Sequence, residues 1–327
     1  GEAANCVAVN GTETGLEFTA CGAGGSGDIT AVGDVASGAA FNGTQGTTLT
    51  FYNAGGNATQ IYNGTTMAFS KAIEMGSGNI TYVDCGASIA SAITAATAGD
   101  TLVLGSCTYT VASTLTVAKA LNFIGQGPEK TILSNTGTNV PTFTVTADGF
   151  HLSGVGFSGT DVASAISIDC TGGTTCNNNS IRNFKIDISR VSGGFDGITM
   201  IDAGGRIEHG FINYSGDLTV SGDQIKGIFQ KFVSTCELDT ISYISDVHLT
   251  GAATGNNTNQ LLRGIMLWNN DADTSLTNHT SYVREATVVL APGNSTISTE
   301  ALEVQGGTNQ LTQNVYDSVF DGGIGGG

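Results

Sequence analysis

The fold this sequence predicts is a parallel β-helix, short strands wound into stacked coils around one apolar core, and three observations predict it. The first is a phrase that occurs six times: an apolar residue, two arbitrary positions, an apolar or small residue, one arbitrary position and a large apolar residue. Its copies are LSGVGF from Leu152, IRNFKI from Ile181, IEHGFI from Ile207, ISDVHL from Ile244, VREATV from Val283 and VYDSVF from Val315. The second is a short run after five of these copies: AISI from Ala165, GITMI from Gly197, GIF from Gly227, GIMLW from Gly264 and ALEV from Ala301. Each repeat therefore offers two strands. The third is the spacing of the phrases, roughly 26 to 39 residues, which is too irregular for leucine-rich or ankyrin units but natural for fixed strands joined by variable loops. Coils stacked at about 4.8 Å let each strand bond to the coils above and below, with alternate residues pointing into a continuous core.

Composition agrees with a turn-rich β protein. There are 48 Gly and only 3 Pro in 327 residues, 12% of residues are charged, and an apolar share of 40% is too high for a disordered chain. A formal net charge of -17 and a pI near 4.3 leave nothing to neutralise a phosphate backbone, which argues against nucleic acid. No apolar run approaches the ~18–20 residues of a membrane span, so membrane insertion is not expected. The chain opens at Gly1 without a methionine or a signal-peptide core and closes on Gly-Gly-Ile-Gly-Gly-Gly. The expectation is a fragment or processed product that continues beyond Gly327.

Residues 1–79 lack the phrase. They run as short β segments between glycines and Asn-Gly or Asn-Ala turns: Val7 to Val9, Leu16 to Thr19, Asp28 to Val32, Thr47 to Phe51 and Thr59 to Tyr62. Each is too short to bury a core alone, and three copies wound around one axis would supply partners, so a β-rich stem or oligomerisation region is expected here. Within it, residues 26–56 (…DITAVGDVASGAAFNGTQGTTLTFYNAGG) resemble the repetitive stems of phage tail fibres and related trimeric surface fibres. A generic Gly/Thr-rich β linker is the alternative.

From residue 80 the pattern changes. The stretch YVDCGASIASAITAATAGDTLVLGSCTYTVASTLTVAKALNFIGQG (82–127) starts with an amphipathic helix near 88–97, in which Ile89, Ile93 and Ala96 share a face. That helix would plug the open N-terminal end of a coil. The order of helix, Ala-Gly-Asp-Thr-Leu-Val-Leu, Cys-Thr-Tyr and a strand leading to Phe123-Ile124-Gly125 resembles the entry to the pectate-lyase-like right-handed β-helix. The resemblance covers residues 80–320 and implies an all-β fold, a right-handed parallel β-helix over 80–327 preceded by the stem.

Seven cysteines are an odd number, with no CxxC pair and no histidine at metal-like spacing, so a zinc site is not expected. Cys6 with Cys21, Cys85 with Cys107, and Cys170 with Cys176 are three pairs that could close as disulfides. Free buried thiols are the alternative for each.

The resembled family holds lyases, glycoside hydrolases, phage tailspikes and non-catalytic adhesins, and fold alone does not choose among them. Its lyases use basic residues and often calcium, whereas the 11 Lys and Arg here are nowhere clustered in sequence. Hydrolysis needs two carboxylates in one cleft, ~5–5.5 Å apart for retention or ~6.5–9.5 Å for inversion. Asp196, Asp202, Glu208, Asp271 and Asp273 are the candidates, with solvated turn carboxylates as the alternative. The polygalacturonase motifs are absent; Glu208-His209-Gly210 and Gly205-Arg206-Ile207 match them only loosely. His151, His209 and His248, in or next to the phrase at different offsets, are read as pointing outward without converging, and all four histidines, His279 included, as surface residues. Trp268, Tyr243 and Tyr282 flank the long inserts and are the carbohydrate-binding candidates, with core or subunit-interface packing as the alternative. About ten Asn-x-Ser/Thr sequons, among them Asn178 and Asn213, would be glycosylated only after passage through a secretory compartment.

These readings converge on an extracellular structural and adhesive fibre, a phage tail fibre or tailspike segment, homotrimeric, binding a host-surface glycan and joined to other fibre or virion proteins. No cofactor is required. A polysaccharide depolymerase of the glycoside hydrolase kind on the same scaffold, and a cellular adhesin or filament subunit, are the alternatives.

Overall fold

The computed structural model describes residues 78–171, 176–190, 193–218, 223–233, 240–255, 260–269, 279–293, 297–306, 311–321 and 324–326, and six short strands between residues 5 and 74. The chain divides into two compact units, Gly1–Ala72 and Ile73–Gly327. In the first, Asn5–Val9 pairs antiparallel with Leu16–Ala20, and Leu49–Tyr52, Ala58–Tyr62 and Met67–Phe69 form an antiparallel meander. The strand expected over Asp28 to Val32 lies outside the described residues, as does a Cys6–Cys21 bridge.

The second unit is the predicted parallel β-helix. Its strands form a sheet of eight and a sheet of fourteen, and successive coils pair in parallel; the antiparallel pair Ile73–Glu74 with Asn79–Val83 begins the larger sheet. The first residues of the phrase stack in one register: Leu152, Ile181, Ile207, Ile244, Val283 and Val315. Its last residues form a second inward ladder, Phe157, Ile186, Ile212, Leu249, Val288 and Phe320. Fully burying an aliphatic or aromatic side chain of this size stabilises by about 1.5–3 kcal/mol, and every full coil contributes several.

The phrase supplies two strand segments rather than one. His151–Thr160 pairs with Asn122–Ile124 through its first half and with Ile132–Asn135 through its second, so one continuous strand spans what are two strands in the preceding coil. Between the halves the backbone turns a corner at the third residue of the phrase. That residue is Gly154, Asn183, His209, Asp246, Glu285 and Asp317 in successive coils, all at positive φ between 47° and 72°. The left-handed conformation costs an ordinary L-residue about 1–2 kcal/mol, least for glycine and for short polar side chains that bond locally, which accounts for what fills the position. Each coil therefore has three faces, two from the phrase and one from the following run.

The following runs form the eight-stranded sheet, with Ile166, Ile198, Ile228, Ile265 and Leu302 in register. Where these runs open on glycine, the residue has a steric cause. A Cβ on Gly227 would lie 2.5 Å from Leu249 Cδ2, and one on Gly264 would lie 2.3 Å from Val288 Cγ1. The last residue of the phrase thus fills the space that the run leaves empty.

At the N-terminal end the helix forms over Ile89–Ala95, with the Ser88 hydroxyl accepting from Ser91 N at 3.2 Å and Ile89 and Ile93 buried. The turn into the first coil uses Gly99 at φ 92° and the buried Asp100, whose carboxylate accepts from Asn79 N at 2.9 Å and Thr97 N at 2.7 Å. Buried Tyr109 donates to Val83 O at 2.6 Å and accepts from Gly105 N at 2.7 Å. Beside them Cys85 and Cys107 are joined by a disulfide with a Cα separation of 5.9 Å. Cys170 is also disulfide-bonded; the Cys176 side chain lies outside the described residues.

Candidate functional site

Outward positions on the first half of the long strands stack as strictly as the core. One ladder runs His151, Ser180, Arg206, Tyr243, Tyr282 and Asn314, and the next runs Ser153, Arg182, Glu208, Ser245 and Arg284. Residues far apart in sequence therefore become neighbours about 4.8 Å apart. Glu208 is held by two guanidinium groups, Arg182 Nε at 2.9 Å and Arg206 Nη1 at 3.1 Å. The Arg206 guanidinium lies 4.3 Å from the centre of the Tyr243 ring, and Tyr243 stacks on Tyr282 at 4.9 Å with planes 8° apart.

These side chains edge a groove of about 450 Å³ lined by His151, Asn178, Ser180, Arg182, Arg206 and Tyr243. Partial burial lowers the pKa of His151, with Arg182 adding to the effect and Asp148 opposing it. The imidazole is neutral at neutral pH and can accept a proton or a hydrogen bond. Arg182 and Arg206 bring two guanidiniums to the groove on a strongly acidic chain, with Glu208 between them and Asp148, which accepts from Asn178 N at 2.8 Å, on the His151 side. The absence of any basic cluster, as read from the sequence, is thereby corrected: stacking makes the cluster.

The remaining candidates are placed as follows. Asp196 is on the eight-stranded sheet, with Lys226 Nζ at 2.8 Å and Thr199 Oγ1 donating at 3.0 Å. Asp202 is buried at the turn between the two sheets, at φ 49°, and accepts from Val233 N at 2.6 Å. Glu208 is on the larger sheet between its arginines. Asp196 and Glu208 thus lie on different sheets with Asp202 at the turn between them, and Asp271 and Asp273 lie outside the described residues. Trp268 is on the eight-stranded sheet, with Lys231 Nζ 4.7 Å from its ring and Phe229 stacked at 6.2 Å. Tyr243 has both faces occupied, by Arg206 and by Tyr282, so it offers a groove ligand its hydroxyl and edge rather than a face.

The histidines differ from the expectation in two respects. His279 is buried and stacks on Phe232 at 4.0 Å, with its Nδ1 2.7 Å from the Thr240 hydroxyl. His209 and His248 converge on one carboxylate, Asp246, at 2.7 and 3.8 Å, because His209 holds the same corner as Asp246 in the adjacent coil and His248 follows Asp246 by two residues on the same strand. Among the described residues no group of three His, Cys, Asp or Glu side chains could hold a metal ion, and no helix is long and apolar enough to cross a membrane.

Sequence reading missed the Arg182–Glu208–Arg206 cluster and the buried Arg263 with its partners Glu300 and Glu303. Aligning the phrases by position would have exposed the first, since Arg182 and Glu208 both follow the opening apolar residue. Nothing comparable marked Arg263.

Fold and site together define a parallel β-helix that carries an arginine-lined, tyrosine-edged groove on an outward face. No family model matches the chain, and no curated protein matches it. Among solved structures it is similar to an alginate lyase from Paenibacillus sp. str. FPU-7, at 11% identity over 73% of this chain and 99% of that one, with a TM-score of 0.30. A likeness that low carries no argument about function.

Proposed function

We propose that the chain is the shaft of an extracellular adhesive fibre, of the phage tail fibre or tailspike kind, and that its groove binds a host-surface glycan. The observation that carries this reading is the groove itself, where Arg182, Arg206, Ser180, Asn178 and the Tyr243 edge offer hydrogen-bonding groups from a rigid backbone ladder. Polar groups fixed on regular elements lose little entropy when they bind a flexible, hydroxyl-rich chain. Three such shafts in a homotrimer raise the effective concentration of weak individual contacts. A cellular adhesin would use the same chemistry, and the source of the retained glycan separates the two.

The test is retention of the full chain on an array of bacterial capsular and lipopolysaccharide glycans. Retention of one glycan class that survives Lys231→Ala, on the eight-stranded sheet, but not Arg206→Ala supports the groove. Retention insensitive to Arg206 removes it.

A second reading is a depolymerase acting in the same groove, and the neutral His151 beside Arg182 favours it. Paired-carboxylate hydrolysis fits less well, because the groups nearest Glu208 are guanidiniums rather than a second carboxyl. New chain ends released from a retained glycan, lost in His151→Ala, would establish this reading.

A further inference from the structure

On the eight-stranded sheet, away from the groove, one cation is shared by two carboxyl groups in a setting with little access to water. Arg263, on Gln260–Asn269, is 4% exposed. Its Nε meets Glu300 Oε2 at 2.8 Å and also Glu303 Oε2, while its Nη1 donates to Gln224 Oε1 at 2.6 Å. Both glutamates are on Ile297–Gln305, which pairs with Gln260–Asn269 from Gln260↔Ile297 to Trp268↔Gln305. Glu303 is 4% exposed and accepts from Gln305 Nε2 at 2.7 Å.

The other charges around the cluster are already committed. Lys226, the register neighbour of Arg263, is 2.8 Å from Asp196 and so cannot serve as a second counter-ion. Lys231 lies over Trp268. Of the other strands packed on Ile297–Gln305, Thr287–Pro292 and Ile324–Gly326 carry no titratable side chain, and Val319–Asp321 carries only the exposed Asp321. One guanidinium therefore faces two carboxyls, and only one of them can ionise there without leaving an unbalanced buried charge.

We infer that Arg263, Glu300 and Glu303 form a pH-sensitive clasp: with Glu303 protonated the strand Ile297–Gln305 is held to its neighbour, and with Glu303 ionised that strand loosens. Burial is the largest influence on Glu303, followed by the opposing pull of Arg263, and Glu300 adds to the upward push. Loosening this strand would free the edge on which Ile324–Gly326 pairs, so the clasp controls the C-terminal coils rather than the groove.

The test is amide hydrogen exchange of the full chain, read on peptides covering 297–305 and corrected for intrinsic exchange, between pH 5.5 and 8.5. Protection is expected to fall about ten-fold or more across this range, the equivalent of one pKa unit, and to stay flat in Glu303→Gln. Glu300→Gln leaves Arg263 a single carboxylate partner and is likewise expected to be flat, which keeps the test open should Glu303→Gln fold poorly. Protection in the unsubstituted chain that does not change with pH would overturn the inference. So would a fall of equal size in both variants.

Discussion

His209 and Asp246 hold the same corner position in adjacent coils, both in the left-handed region at φ 55° and 49°, and His209 Nδ1 lies 2.7 Å from Asp246 Oδ2. The corner that turns each coil is thus also a surface ladder of polar side chains. Asp246→Gly removes the contact but relieves the backbone, and the two effects offset. Asp246→Val places a β-branched residue at positive φ and should cost about 1–2 kcal/mol or more. Urea denaturation of both variants checks this, with Gly near the parent and Val clearly below it.

Gly210 answers Phe184 in the neighbouring coil. They share a register position, and a Cβ on Gly210 would lie 2.1 Å from Phe184 Cζ. Gly210→Val should destabilise by about 1–3 kcal/mol through overpacking. Phe184→Ala opens the space, so the double variant should be more stable than the sum of the two single changes. A double-mutant cycle in thermal unfolding measures the coupling.

The Cys85–Cys107 bridge ties the segment before the capping helix to the second strand of the first coil, closing a loop of sequence separation 22. In the chain-entropy account a loop of that size is worth about 3 kcal/mol. Cys85→Ser with Cys107→Ser should lower the melting temperature, and a reductant should lower that of the parent by more than that of the variant, which keeps the bridge at Cys170.

Two carboxyl groups make the stability of the β-helix depend on pH with opposite signs. Burial works to raise the pKa of Asp100, but the N–H donors of Thr97 and Asn79 outweigh it and hold the pKa below 3.8. Its contribution is present above the unfolded value and is lost as pH falls through the folded one, so the cap melts in strong acid. Burial pushes Glu303 up from 4.5 to about 7. Its contribution is complete below 4.5 and is lost as pH rises through 7. Melting curves should show Asp100→Asn flattening the acid limb and Glu303→Gln flattening the decline toward alkaline pH.

The fold was legible because its signal is local: the first, fourth and sixth residues of the phrase are apolar or small in every copy. Its corner was harder to read. Gly154, Asn183, His209, Asp246, Glu285 and Asp317 share only a tolerance of positive φ, and of these His209 reads from sequence as plain surface. The helix at Ile89–Ala95 followed from its apolar face, as did the strands that come after it. The groove is not legible residue by residue, because Arg182, Arg206 and Tyr243 belong to three different coils and meet only when the phrases are set in one register. For the same reason His279 was misjudged as a surface residue, since the ring that covers it, Phe232, belongs to another coil.

Binding at the groove is the central claim, and Arg182 and Arg206 are its cations. Affinity of the full chain for the polysaccharide retained on the array, measured beside an Arg182→Ala/Arg206→Ala double variant with unchanged far-ultraviolet circular dichroism, tests it most directly. Binding weakened at least about ten-fold, the loss of roughly 1.4 kcal/mol expected from removing charge-assisted hydrogen bonds, is the predicted result. Equal affinity in the two proteins, or a chain that retains no polysaccharide, would contradict it.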